Sequence, residues 1–384
     1  MSDEASEPTP GQLKAWTARR ENARRLLDYT VGKGLEIGPL QTPLAVRPGA
    51  NVKYVDVFDT AGTREKYKDD PSISGSLIPE IDYTLAKPDG SFQNVAEAAK
   101  PGAPFDWVIA SHVFEHVPDW IGWLQQISSL TKDGAQLMLA IPDRRYCRDT
   151  IRPQTTVGQA IDAYMDGHTR PSSRAIYDAS TSASARKAFE LWRGERPTLP
   201  IPDPEKLMML LERGRNGEYI DSHVWVWTPT EFLRQIRETR MLGLHHWYVE
   251  TLEPTQANKN EFWTVLRRWT PESLSPEPAE PTLGTDLPDW REDEYQQAES
   301  TRQMVQHYEA RIAKMRENFS QAKAHFSQAK AQMSKNYQAA KTEAQNNYEA
   351  LQRIQAEAVA NYNELQRVLK EYQDYRQQVE ILSD

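Results

Sequence analysis

The sequence predicts an α/β fold built on a doubly wound, mostly parallel sheet, and three observations predict it. Short apolar strands alternate with helical segments from Gly34 to Ile141, the pattern of a parallel sheet covered on both faces. The first strand leaves through a Glu-x-Gly turn, Glu36-Ile37-Gly38. The second ends in an acid, Asp56, twenty positions after Glu36, about the separation expected when an open sheet holds a nucleoside at its strand ends.

Each element has its own signal. Leu13 to Tyr29 is helical in pattern, with Trp16, Ala23, Leu26 and Leu27 sharing one face. Leu35 to Ile37 reads as a short buried strand and Gly38 as the tight turn after it. Lacking a Cβ, that glycine lets a ligand approach the backbone. Val52 to Val55 is the second strand, and Asp56 after it can accept both hydrogen bonds of a ribose diol. A third strand is expected within Ile73–Tyr83, ending near Asp82, which is either an acceptor for an adenine amino group or a surface turn acid. Phe105 to Ser111 is the clearest strand, too continuously apolar for a half-exposed edge. Pro118 starts a helix through Ile121, Leu124, Ile127 and Leu130. Lys132-Asp133-Gly134 stops it, and Ala135 to Ile141 forms the fifth strand, ending at Pro142-Asp143.

Leu35-Glu36-Ile37-Gly38, Asp56, the run from Phe105 to His116, and Asp133-Gly134-Ala135-Gln136-Leu137 together resemble the class I S-adenosylmethionine-dependent methyltransferases. The closest likeness is to the type associated with glycosyltransferase and surface-polysaccharide genes, where the stretch from Ile141 to Tyr146 and Arg152-Pro153 also have counterparts. The resemblance spans roughly residues 26–268. It implies a Rossmann-like sheet closed by a terminal antiparallel hairpin, with S-adenosyl-L-methionine as cofactor. Glu36, Gly38, Pro39 and Asp56 are the implied cofactor-binding residues, joined by Asp82, and Ser111 and His112 line the pocket. Leu40 and Thr42 stand where a full glycine fingerprint has glycines.

A sulfonium methyl is already activated, so catalysis needs in-line positioning, and a base only if the acceptor is a hydroxyl. His112, His116 and His223 are the base candidates, because imidazole titrates near neutrality. Each could equally pack or cap. His112 and His116 stand four apart beside Glu115, but the His-Glu-x-x-His order is absent and Pro118 interrupts a helix there, so no metal site is expected. Asp143, Arg144, Arg145, Tyr146 and Arg152 could clamp a phosphate or an acidic sugar. The alternative is a structural network in which Asp143 and Asp149 pair with neighbouring arginines.

Residues 155–222 interrupt the alternation with helical stretches at Val157–Tyr164, Ala185–Trp192 and Glu205–Arg213 and Pro-rich turns around 197–204. An insertion at the carboxyl end of a sheet tends to cover the active site, which makes this a helical cap over the acceptor. His223 to Trp227 returns to the core, and Thr228-Pro229-Thr230 starts a helix through Phe232, Leu233 and Ile236. Trp247 to Glu250 and Glu261 to Leu266 are the last strands, turning at Asn258-Lys259-Asn260. One of Trp192, Trp225 and Trp227 is expected to face the acceptor.

Residues 271–294 are rich in proline and acid and read as a linker. Beyond Pro288 the chain has neither proline nor glycine. Phe319 to His325 and Phe326 to Gln332 form a near-identical seven-residue repeat. Val305, Tyr308, Ile312, Met315, Phe319, Ala322, Phe326, Ala329 and Met333 alternate spacings of three and four, a coiled-coil seam. Tyr337 and Tyr348, eleven apart, suggest stutters before Leu351, Leu365, Leu369, Tyr372 and Val379 resume the stripe. A helix of about 80 residues extends roughly 120 Å, and its narrow seam calls for a partner: a second copy, or another coiled-coil protein.

The expected organisation is therefore a tail and helix (1–29), a catalytic domain (30–270), a linker (271–294) and a coiled coil (295–384). Of the 384 residues, 39% are hydrophobic, enough for a large core, while a mean hydropathy of -0.73 reflects the polar C-terminal segment. A net charge of -9 argues against general binding to nucleic acid or an anionic membrane. The single cysteine, Cys147, excludes an internal disulfide framework and fits a reducing cytoplasm. No signal-like apolar core or membrane-length apolar run occurs. The expected function is O-methylation of a sugar or polysaccharide intermediate, with a small-molecule or glycan acceptor. A nicotinamide-dependent oxidoreductase on the same sheet and a non-catalytic coiled-coil scaffold are the alternatives.

Overall fold

The computed structural model describes residues 8–195, 197, 202–273, 275–281 and 290–383. The chain divides into two compact units, Met1–Gln297 and Ala298–Asp384.

The first unit opens with α1 (Pro10–Leu26), whose N-cap Thr9 accepts from the Gln12 amide in a capping box. The strands are β1 (Gly34–Ile37), β2 (Val52–Asp56), β3 (Tyr83–Thr84), β4 (Phe105–Ser111), β5 (Thr131–Pro142), β6 (Trp247–Glu253) and β7 (Glu261–Arg268). They form one seven-stranded sheet in the order β3-β2-β1-β4-β5-β7-β6. The contacts among β1 to β5 are parallel, and β7 runs antiparallel to both β5 and β6. The doubly wound sheet with its terminal antiparallel hairpin is thus present as the sequence predicts.

Both faces of the sheet are buried. Leu35, Ile37, Val55, Val108, Ala110, Leu137 and Leu139 point to one side, against α4 (Trp120–Leu130) and α9 (Pro229–Met241). Val52, Tyr54, Trp107, Ile109, Met138 and Ala140 point to the other, against Ala23 of α1 and Leu27 just beyond it. Adjacent residues of one strand thus belong to different cores, which explains why these strands lack a polar face.

Local chemistry moves several boundaries. Between β2 and β3 lie α2 (Thr60–Lys66) and a 3-10 turn at Gly75–Leu77, and the strand expected across Ile73–Tyr83 shrinks to two residues with Asp82 just ahead of it. Pro71, Gly75 and Pro79 break any longer ladder. A short helix, α3 (Val95–Ala99), precedes β4. Pro118 lies before the cap of α4, which is Asp119 accepting from the Gly122 amide. The insertion contains α5 (Val157–Met165), α6 (Ser173–Thr181), α7 (Ala188–Trp192) and α8 (Pro204–Arg215). Helix α6 escapes the sequence pattern because its buried side chains are only Ala175, Ile176 and Thr181. Val224 to Trp227 is buried as expected but joins the sheet region through one parallel bridge, Asp143 to Trp227.

The C-terminal helix α10 spans Trp290–Ser383. Phe319, Phe326 and Met333 are each 72% exposed in the single chain, so the apolar seam is uncovered there. The seam side chains of Val305, Tyr308, Ile312, Tyr372 and Val379, the expected tail at 1–7, most of the turns at 198–201 and much of the linker at 282–289 lie outside the described residues. No described helix is long and apolar enough to cross a membrane.

The tightest contact in the sheet gives a test of this packing. A Cβ on Gly34 would lie 2.1 Å from the buried Trp107 ring, whose indole N–H donates to the Val31 carbonyl at 2.9 Å. Gly34→Ala is expected to lower stability by about 1–3 kcal/mol through overpacking, read as a reduced urea midpoint. An unchanged midpoint would show that the ring yields freely.

Candidate active site

The carboxyl ends of β1, β2 and β4 lie side by side, because Glu36 registers with Tyr54 and Ile109 in the flanking strands. Gly38 leaves β1 at φ +65°, its amide donating to the Val55 carbonyl at 2.9 Å. A Cβ there would come within 2.9 Å of Val113 Cγ2. Two non-glycine residues also adopt left-handed backbone at these ends, Leu40 (φ 45°) and His112 (φ 54°). Such conformations cost energy and persist where the surroundings dictate them.

Glu36 is buried, and its carboxylate accepts the Leu44 amide at 2.7 Å and the Ala45 amide at 3.0 Å. It therefore clamps the segment after Gly38 in place of the helix that usually follows such a turn. Burial raises its pKa to about 7 against the lowering effect of those two hydrogen bonds and of Arg20 and Arg19. Pro39 lies within the clamped segment. Asp56 sits at the end of β2 with one oxygen accepting the Val57 amide at 2.7 Å; burial raises its pKa, opposed by that bond and the Lys66 charge. By strand alternation Asp56 lies on the same face as Tyr54, and hence as Glu36.

The other expected cofactor residues have identifiable partners. Asp82 pairs with Arg47 and with Lys53 at 2.8 Å and accepts the Tyr54 amide at 2.8 Å. Ser111 Oγ accepts from Arg19 at 2.6 Å, and Arg19 also pairs with Glu261 at 2.7 Å. His112 Nε2 meets Glu261 at 2.6 Å. Burial would raise the Glu261 pKa, but the hydrogen bond with His112 and the Arg19 charge hold it down to about 2. Helix α1 thereby reaches the ends of β4 and β7. A cavity of about 380 Å³ lined by Trp16, Arg20, Gln41, Tyr54 and Glu80 also opens on this helix. It includes none of Gly38, Asp56, Ser111 or His112 and lies apart from the strand ends where the chemistry collects.

The structure brings His116 and His223 together although 107 positions separate them, with rings edge-to-face and centroids 4.7 Å apart. His116 Nδ1 lies 2.8 Å from Asp221 and His223 Nδ1 lies 2.5 Å from Asp149. Burial would raise the Asp149 pKa; the hydrogen bond and charge of His223, with Arg152 beside it, instead hold it well below the usual range. An ionised carboxylate can only accept, so His223 donates from Nδ1. Burial would lower the His116 pKa, but Asp221 and the Glu115 charge raise it. Glu115 is 1% exposed, and neither carboxylate oxygen has a hydrogen-bond partner among the described residues. Leaving such a group unpaired costs about 1–3 kcal/mol, more when charged. The sequence placed Glu115 beside His116 but gave no signal for its isolation or for the approach of His223.

Asp143 is fully buried, pairing with Arg145 at 2.8 Å and accepting from Thr255 at 2.6 Å. Arg152 is buried against Asp149 at 2.9 Å and donates to the His223 carbonyl at 2.8 Å. Arg144 donates to the Arg152 carbonyl at 2.6 Å. Cys147 is buried, and burial pushes its thiol pKa up. Tyr146 stacks on Trp192 with centroids 3.9 Å apart, and the Trp192 indole donates to the Lys259 carbonyl. Trp225 and Trp227 are core residues, each 1% exposed. Of the three tryptophans weighed as acceptor contacts, only Trp192 lies in the insertion, and these two take their place in the core through indole bonds to Val117 and Gln235.

A parallel sheet with a glycine turn and an acid at neighbouring strand ends defines a nucleotide-type cofactor site of the doubly wound class. Gly38 leaves the backbone bare there, and Asp56 supplies a carboxylate able to take a diol. Residues 9–213, more than half of the chain, match the family model described as a methyltransferase domain, and the chain belongs to that family. This membership favours methyl transfer over nicotinamide-dependent redox chemistry. Among solved structures, the chain is similar to the CcbJ methyltransferase from Streptomyces caelestis (12% identity, 70% of this chain and 99% of that chain, TM-score 0.34). It is also similar to an S-adenosylmethionine-dependent methyltransferase from Mesorhizobium loti (12%, 66% and 96%, 0.32). A third similar structure is a protein described as a Zn-dependent alcohol dehydrogenase from Rhodobacter sphaeroides (13%, 65% and 90%, 0.36). At these scores the likenesses carry no functional argument, and the family assignment stands on the sequence match. No curated protein matches the chain.

The raised Glu36 pKa has a signed consequence. With a folded value of about 7 against the ordinary 4.5, the folded state binds the extra proton between those values. This contribution to stability is full below pH 4.5 and lost as pH rises to about 7, by up to about 3 kcal/mol. Urea titrations of wild type and Glu36→Gln at pH 4.5, 6 and 7.5 should show the wild type losing stability relative to the variant across that range. A constant difference would place the Glu36 pKa near its ordinary value.

Proposed function

We propose that the protein is an S-adenosylmethionine-dependent methyltransferase that methylates an oxygen of a sugar or polysaccharide intermediate. The observation that carries this reading is the pairing, on adjacent strand ends, of the bare Gly38 turn and the half-buried Asp56 carboxylate, in a chain of the methyltransferase-domain family. Asp56 would take the ribose hydroxyls. Gly38 and Pro39 would line the cofactor's backbone side, and Glu36 would act through the loop it holds. Ser111, His112 and Asp82 complete the set of residues around the cofactor. When bound, S-adenosylmethionine supplies a methyl group already activated by the sulfonium.

The chain's own residues then have two tasks, positioning the acceptor and receiving its proton. His112, His116 and His223 face the acceptor side, and each has a carboxylate neighbour that fixes its ring. His112, its Nε2 held by Glu261, keeps Nδ1 as the nitrogen that would take the hydroxyl proton as the carbon–oxygen bond forms and the methyl's bond to the sulfonium sulfur breaks, releasing S-adenosylhomocysteine. The stacked Tyr146–Trp192 pair offers the flat apolar surface on which a sugar face packs. Asp143, Arg144, Arg145 and Arg152 hold the wall behind it, with the insertion as the cap. The seam of α10 supports self-association through a coiled coil, or docking to another coiled-coil protein; in either case residues 295–384 form a stalk beyond the linker at 271–294. A cytoplasmic enzyme fits this reading.

Calorimetry with S-adenosylhomocysteine tests the cofactor half. The wild-type chain should bind it, and Asp56→Ala should weaken binding by about 10–100-fold, the worth of hydrogen bonds to a charged acceptor. No heat with the wild type would remove the reading. Light scattering tests the stalk: a chain ending at residue 288 should fall from an oligomer to the mass of one chain. Equal oligomeric order with and without the stalk would exclude association through it.

A further inference from the structure

We infer that Glu115, His116 and His223 form a binding site for a first-row divalent transition-metal cation. One donor atom from each lies within 4.8 Å of the others. Around a cation with bonds of about 2.0–2.2 Å, tetrahedral ligands stand roughly 3.4 Å apart, so the set needs to close only slightly. Three features beyond proximity point to a cation.

The first is the isolation of Glu115. Its carboxylate is buried, with no hydrogen bond to either oxygen among the described residues. His112 Nδ1 at 3.6 Å and His116 Nε2 at 3.9 Å from Oε1 are too far to serve. The buried carboxylate thus lies beside the His112 and His116 imidazoles without hydrogen-bonding to either, and a buried charge is ordinarily paired or bound to a metal.

The second is how the imidazoles are held. His116 uses Nδ1 on Asp221 and His223 uses Nδ1 on Asp149, and Asp149 is itself anchored by Arg152. Metal-ligating histidines are oriented by a carboxylate on the other ring nitrogen, which fixes the tautomer and raises ligand basicity. Here both rings have that partner, which leaves Nε2 of each for a ligand.

The third is the backbone. The Glu115 carbonyl accepts the Val224 amide at 2.7 Å and the Trp225 amide at 3.2 Å. The Tyr219 hydroxyl donates to the His116 carbonyl at 3.1 Å. The segment leaving β4 and the segment returning from the insertion are thus sewn together where the three donors converge.

Two imidazoles and a carboxylate suit zinc, iron or manganese and leave coordination positions open. Resting on the methyltransferase reading, Glu115, His116 and His223 would hold the cation, which when bound would make a nearby acceptor hydroxyl more acidic, with His112 as the residue that would take its proton. His116 and His223 then serve as ligands, and proton transfer falls to His112 alone.

The test uses the full chain after chelator treatment, titrated with cobalt(II) chloride. One equivalent should bind and give visible d–d bands of nitrogen–oxygen ligation. His223→Ala and Glu115→Gln should abolish them. Asp221→Asn, at a site whose side chain is 61% exposed and whose loss leaves the core intact, should keep the bands and weaken affinity by about 10–100-fold. No stoichiometric uptake by the wild type overturns the site, as does uptake undiminished in Asp221→Asn, which decides the matter if the two buried variants fail to fold. Calorimetry with S-adenosylhomocysteine on the same samples separates the two readings. Homocysteine-nucleoside binding without cobalt uptake removes the metal site alone, and cobalt uptake without nucleoside binding leaves it standing while the methyltransferase reading falls.

Discussion

Two backbone amides, those of Leu44 and Ala45, donate to one buried carboxylate, Glu36, and the rest of the site is built outward from that clamp. In most doubly wound sheets the segment after the first strand is a helix whose own hydrogen bonds hold its shape. Here residues 38–51 contain no helix and only two local turn bonds, from the Thr42 amide to the Pro39 carbonyl and from the Ala50 amide to the Val46 carbonyl, so an outside anchor is needed to present a fixed backbone to a ligand. The buried acid supplies it. The left-handed backbone of Leu40 and Gly38 is tolerated because the chain is fixed at both ends, by the Gly38 amide on Val55 and by the Glu36 carboxylate further on.

The three histidines beyond β4 and the insertion follow a different rule, in which each imidazole is paired with an acid. His112 with Glu261, His116 with Asp221 and His223 with Asp149 draw their acids from β7, from the end of the insertion and from the loop after β5. The site is therefore assembled from segments that meet only in the folded chain. Rings fixed by carboxylates lose little on binding a proton or a cation, so the arrangement favours positioning over mobility. Glu115 is the exception, a buried acid whose carboxylate has no hydrogen-bond partner among the described residues, beside acids that do have one. The same packing that isolates it, the Val224 and Trp225 amides on its backbone carbonyl, also brings His223 within reach.

The strands most fully buried on both faces were the most legible in the sequence. β4 agrees residue for residue with the apolar run from Phe105 to Ser111, and β1 and β2 fall within a residue of expectation, because continuous burial leaves a continuous apolar signal. The third strand was misjudged since three turn-forming residues in its span leave room for only two paired residues. Glu36 and Asp56 could be singled out by spacing, yet spacing could not say that Glu36 spends both oxygens on its own loop. Asp82 likewise carries no local sign of Arg47, 35 positions earlier. The relation of His116 to His223 was invisible for the same reason: it arises from the return of the chain after the insertion, a tertiary fact with no periodicity. In α10 the helix was legible from a local pattern, and Phe319, Phe326 and Met333 lie exposed on it in the single chain.

Hydrogen–deuterium exchange of the full chain, with and without S-adenosylhomocysteine, tests most directly whether the clamped turn and the end of β2 form the cofactor site. The account predicts slow exchange at Leu44 and Ala45 in the free protein, with added protection confined to residues 38–45, Val57 and the segment after Ser111 on binding. Protection that instead gathers around Trp16, Arg20 and Glu80, with the 38–45 segment unchanged, would contradict it.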